Sequence, residues 1–152
     1  MVPIEAIVVC LALAVGSITD LRYRLIPDLV TIPAAGAIGL VGLVSGDPEG
    51  GLLPGLLTVA LICLPLGALS ILRPGSFGMG DVKLIAVMAL AAGPAVWVPL
   101  IPGLGLATGF GLFSAVRGRT GLTGKTLPLA PFLAVPGIAF FAWTGLSGQL
   151  LQ

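Results

Sequence analysis

The sequence predicts an all-α integral membrane protein of about six transmembrane helices, with both termini on the non-cytoplasmic side. Three observations carry that reading. Of 152 residues, 57% are apolar and 9% are charged, with a mean hydropathy of +1.17, a composition that no ordinary soluble domain has. Charge-free stretches run from Ala6 to Thr19, Leu29 to Gly46, Gly50 to Leu72, Leu84 to Val116 and Thr126 to Gln152. Most reach or approach the roughly 20 residues that one helix needs to cross about 30 Å of hydrocarbon. The seven Lys and Arg residues all fall in alternate connections. Nothing is left over for a soluble domain, so residues 1–152 read as a single polytopic membrane domain.

Breaks at Pro/Gly and charged clusters place helices at 2–20, 28–45, 52–72, 81–94, 97–116 and 127–148. The first follows a segment with no Lys or Arg that carries Glu5, which argues against a cleaved secretory signal and for a retained span. The second and third are bounded by the "GDPEGG" and "RPGSFG" turns. The 33 residues from Leu84 to Val116 would overshoot the bilayer as one helix of about 50 Å. Gly93, Pro94, Pro99 and Pro102-Gly103 therefore predict two short spans joined by a tight external turn. The sixth helix follows the basic loop that holds Arg117, Arg119 and Lys125.

Lys and Arg are retained on the cytoplasmic side, whereas Asp and Glu have little influence on orientation. With six helices, Arg22, Arg24, Arg73, Lys83, Arg117, Arg119 and Lys125 share one side, and Glu5, Asp47 and Glu49 the other. A five- or seven-span arrangement scatters the basic loops. Gly105 and Gly109 form a GxxxG pair and Gly36, Gly39, Gly42 and Gly46 recur at helical spacing, which predicts close helix packing and leaves a homo-oligomer open. Trp97 and Trp143 are expected near span ends, where indoles anchor at the interface. Cys10 and Cys63 read as small buried hydrophobes, and with no His and no CxxC a Cys/His metal site is not expected. No basic run with interleaved aromatics points to nucleic acid. "GRTGLTGKT" is a decoy, since a phosphate-binding loop needs glycine where Arg119 stands.

Orientation puts Asp20, Asp28 and Asp81 together at the basic side, near helix ends. An ionisable group at membrane depth usually faces water or a partner and is a functional candidate by default. The bland alternatives are an N-cap for Asp81 and an ion pair with Arg22 or Arg24 for Asp20. Two carboxyl groups brought within a few Å share one proton, so one can act as base on a water and the other as acid toward a carbonyl. That is the chemistry of aspartic proteases.

"ITDLRYRLIPD" and "FGMGDVKLIA" resemble the two aspartate motifs of type IV prepilin leader peptidases, the GxGD class of intramembrane aspartic proteases, and "LPLAPFLA" at 127–134 resembles a third segment of that family. Gly-x-Gly-Asp alone is a weak pattern; with Val82-Lys83-Leu84, an upstream Asp followed by Ile26-Pro27, and the downstream proline segment, it is strong. The resemblance implies a catalytic pair of Asp20 and Asp81, no cofactor or metal, and a prepilin or pseudopilin precursor as substrate, cut after a glycine. It implies a multi-pass protein of the inner (cytoplasmic) membrane, in contact with lipid. Two departures stand out. Asp28 occupies a position that is commonly Asn in the family, and the cysteine-bearing methylating domain of the long members has no counterpart here. The chain is thus similar to the short peptidases of tight-adherence pilus systems.

Supporting roles are expected for Gly78 and Gly80 (approach of substrate backbone, or a plain loop), Lys83 (substrate contact, or a topology anchor), Pro27, Asp28 (attraction of basic leader residues, or a pair with Arg24), and Pro128 and Pro131 (an extended start to the sixth helix, or an ordinary helix-start proline). Helix dipoles suggest a division of labour: Asp81 at a helix N-terminus holds the resting charge and Asp20 at a C-terminus the proton. The rival reading is a small transporter or export-apparatus subunit whose acids handle ions or protons, which would place them near mid-membrane.

Overall fold

The computed structural model describes residues 3–45, 52–72, 78–117 and 129–150. It contains α1 (Pro3–Tyr23), α2 (Asp28–Ser45), α3 (Leu52–Leu72), α4 (Met79–Ala92), a 3₁₀ turn (Gly93–Val96), α5 (Trp97–Val116) and α6 (Ala130–Leu150), with no strand among the described residues. Six helices were expected, and their boundaries fall within three residues of the breaks read from Pro, Gly and charge. The long apolar stretch breaks at its Gly-Pro pair: Gly93 takes a left-handed φ of 54°, and Pro94 opens the 3₁₀ turn, where its missing N–H costs nothing. At 14 residues α4 is too short to cross a membrane alone, and the five segments with sufficient length and apolarity count α4 through α5 as one. Pro33, Pro65, Pro102 and Pro136 lie inside helices. Neighbouring helices in a bundle make that tolerable.

The helices pack around α4, with α2 and α6 starting at the same end as α4 and the others opposed to it. Gly145 faces Ala6 and Gly137 faces Leu13, which fixes the register of α6 on α1. Gly55 faces the carbonyl of Leu90, and the Cys63 thiol reaches the carbonyl of Val82, so α3 runs antiparallel to α4. Val82, Leu84, Ile85, Val87, Met88 and Ala89 of α4 are buried, and with Val9, Leu13, Leu100, Leu133 and Phe141 they form the core. Outward-facing positions are equally apolar, as at Leu29, Val44 and Val116, each more than 80% exposed. That inversion of the soluble pattern suits a surface that meets lipid.

Small residues carry this packing: of the glycines at helical spacing, a Cβ at Gly42 would lie 3.4 Å from Leu52, but Gly105 and Gly109 do not take part. A Cβ at Gly16 would lie 2.9 Å from Leu84 Cδ1, and one at Gly137 would lie 2.7 Å from Leu13 Cδ1. Gly36, Gly67, Gly105 and Gly109 face no atom within 4 Å among the described residues. The GxxxG pair therefore packs against no other described helix and instead floors an apolar groove of about 630 Å³ with Pro102, Leu106, Phe110, Phe113 and Phe132. Gly46 lies outside the described residues. Both cysteines are free and half-buried; Cys10 approaches the Ile138 carbonyl across the α1–α6 seam.

Gly55→Leu, placed against the Leu90 carbonyl, is expected to destabilise the bundle by about 1–3 kcal/mol, the usual cost of overpacking. Gly105→Ala, in open space on a helix, is expected to be neutral or to stabilise by up to about 1 kcal/mol. Unfolding of both variants in detergent checks the contrast; similar effects at the two positions would contradict this packing.

Candidate active site

Asp20 sits in the last full turn of α1, on the face that meets α6, and is 9% exposed. Its Oδ2 accepts a hydrogen bond of 3.3 Å from the backbone N–H of Ala130, the first residue of α6. Ser17, one turn earlier on the same face, shares its hydroxyl proton between the carbonyls of Leu13 (2.7 Å) and Ala130 (3.2 Å). A single residue of α6, Ala130, is thus held at both ends by α1: its N–H by Asp20 and its carbonyl by Ser17.

Asp81 sits in the first turn of α4. The N-cap position is taken by Gly78, whose carbonyl accepts from the N–H groups of Asp81 (3.0 Å) and Val82 (3.3 Å). Asp81 is therefore not the cap, and its Oδ1 is buried with no hydrogen-bond partner among the described residues. An unsatisfied buried oxygen costs about 1–3 kcal/mol, which marks it for a function that another molecule completes. Asp81 lies close enough to Asp20 for the two charges to act on each other.

The glycines before Asp81 make room for the protein's own atoms. A Cβ at Gly80 would lie 3.0 to 3.3 Å from three carbons of Ile26, and one at Gly78 would lie 2.8 Å from Asp81 Oδ2. Ile26, 6% exposed, belongs to the short connection between α1 and α2. There Arg24, with a left-handed φ of 52°, closes α1 by donating its N–H to the Asp20 carbonyl at 2.9 Å. The Pro27 carbonyl accepts from Val30 at 3.0 Å, which starts α2 with Asp28 at its first position, where the helix dipole favours an acid. Asp28 forms an ion pair with Lys83, not with Arg24.

The fold thus brings Asp20, Asp81, Gly78, Gly80, Pro27, Asp28 and Lys83 to one end of the bundle, and Pro131 joins them in the first turn of α6. Pro128 lies outside the described residues. The proposed separation of roles by helix ends loses its basis, because the N-terminus of α6 faces Asp20 just as that of α4 carries Asp81. Sequence reasoning missed Ser17 and Ile26. Ser17 had a signal, its i, i+3 spacing before Asp20; the contact of Ile26 with Gly80 had none.

No curated protein and no solved structure matches the chain with significance. The sequence does match the type IV leader peptidase family over residues 7–116, a span that holds both aspartates and every helix that positions them except α6. The chain belongs to the type IV leader peptidase family.

Proposed function

We propose that the protein is an intramembrane aspartic endopeptidase that removes the leader of type IV pilin-like precursors at the cytoplasmic edge of the inner membrane. The observation that carries this reading is the nearness of two carboxyl groups from separate helices, close enough for their charges to act on each other, one braced by a backbone N–H and the other with a buried oxygen that no described residue meets. Membership of the leader peptidase family supports the substrate class. Arg22, Arg24 and Lys83 at the same end support its cytoplasmic placement.

Asp20 and Asp81 share one proton and work as a pair. The ionised member takes a proton from water, whose oxygen bonds to the scissile carbonyl carbon, while the protonated member gives its proton to the carbonyl oxygen. Collapse of the resulting diol breaks the C–N bond: the leaving amine takes up a proton from the pair, and a hydroxyl of the diol gives one back to it. The products are a carboxylic acid and an amine, and the dyad returns to its starting state. Asp81 Oδ1 is the atom free to meet the water or the carbonyl. Gly78, Gly80, Pro27, Asp28, Lys83, Pro128 and Pro131 are supporting residues that shape and hold the site. Acids gathered at helix ends fit this reading better than an ion-handling transporter, whose acids belong at mid-membrane.

Purified protein in detergent is expected to cut a substrate with a basic leader followed by an apolar segment, and Asp20→Ala and Asp81→Ala are each expected to lose roughly 10³-fold or more in turnover with normal expression. Unimpaired processing in either variant overturns the dyad. Ser17→Ala is expected to cost about 1 kcal/mol of stability and to speed hydrogen exchange at the Ala130 amide, since the α6 peptide loses one of its two ties. Unchanged exchange there would remove Ser17 from the site.

A further inference from the structure

The two carboxylates stand sixty-one positions apart in sequence, and the placement of their helices relative to each other needs a physical cause. α1 and α4 touch each other far less than α1 touches α6 or α3 touches α4. The connection from Arg24 to Asp28 links the end of α1 that carries Asp20 to the start of α4. It leaves α1 directly after the turn that carries Asp20, with the Arg24 N–H closing on the Asp20 carbonyl. It then meets α4 twice. Ile26 fills the space that a side chain at residue 80 would need, and Asp28 pairs with Lys83. Residues 80 and 83 bracket Asp81. The same five residues that follow the Asp20 turn therefore hold α4 at positions just before and just after Asp81 in the chain.

We propose that this connection is the device that sets the separation of the dyad, and that Asp28 and Lys83 form a positioning pair for Asp81. The two side chains are 55% and 41% exposed, and ion pairs in that setting contribute little to stability. Geometry is the stronger reason for the contact: Lys83 lies two residues beyond Asp81 in the opening turns of α4, on a side of the helix that the buried Val82, Leu84 and Ile85 do not hold. The Ile26–Gly80 contact sets the distance of the connection from α4, and the ion pair ties the start of α2 to the turn that carries Asp81. Asp28 and Lys83 thereby act on substrate through Asp81 and do not bind it themselves.

This inference rests on the peptidase reading, and a kinetic cycle separates the two. Asp28→Leu and Lys83→Met are each expected to lower kcat about tenfold, the scale of a small misplacement of a reacting group, with KM changed less than about twofold. Because the pair acts as a unit, the double variant is expected to lose about the same tenfold and not the product of the two losses. Lys83→Arg, which keeps the charge, is expected to stay within about threefold of wild type. Unfolding midpoints of all four variants in detergent are expected to match wild type. Losses that multiply in the double variant, a rise in KM at constant kcat, or unchanged kcat in either single variant would overturn the positioning pair. A wild-type protein that cuts no leader-bearing substrate would instead overturn the peptidase reading.

Discussion

The cost of holding two carboxyl groups in an apolar bundle is the constraint on which the rest of the structure depends. A charged side chain at membrane depth is expensive, and lipid offers it no hydrogen bonds. The bundle meets that cost with helix ends. The last turn of α1, the first turn of α4 and the first turn of α6 converge, so that the only polar groups a helix cannot satisfy internally are placed where acids need them. Asp20 takes one of the free N–H groups of α6, while Asp81 keeps one buried oxygen open. One acid is supported and an atom of the other is left unmet among the described residues, so the two are not equivalent structural caps.

That convergence requires close helix approach, and the small residues are distributed accordingly. Gly16 admits Leu84 at the α1–α4 seam, Gly137 admits Leu13 and Met88 where α6 meets both, and Gly55 admits the backbone of α4 onto α3. α4 is consequently the most enclosed helix. Between helices in lipid no hydrophobic force drives association, and contact at this range supplies the van der Waals attraction that replaces it. The glycines that lack neighbours lie on outward faces of α2, α3 and α5.

Much of this was legible in the sequence. Runs without charge delimited the helices, and the Gly93-Pro94 pair marked the break that length alone demanded. Asp20 and Asp81 were identifiable because each is an acid beside an apolar run, at ends that the basic residues place together. The contacts among them were not legible. Ala130 meets Asp20 across 110 positions of sequence, and no local pattern encodes which helix end faces which acid. Asp28 had a nearer candidate in Arg24, but the left-handed turn at Arg24 directs the connection toward α4 and gives Asp28 to Lys83. The Gly105–Gly109 spacing pointed to packing, yet a spacing shows that close approach is permitted and not which surface uses it.

The bond from Ala130 to Asp20 has a consequence for biosynthesis. Domains and spans emerge from the ribosome in chain order, and α6 follows the five helices that supply both acids. While α1 to α5 are already in the bilayer, Asp20 still lacks the donor that braces it, and the wall of α6 that buries it is absent. A nascent chain therefore gains the brace on Asp20, and the helix that buries it, only when α6, its last described helix, docks.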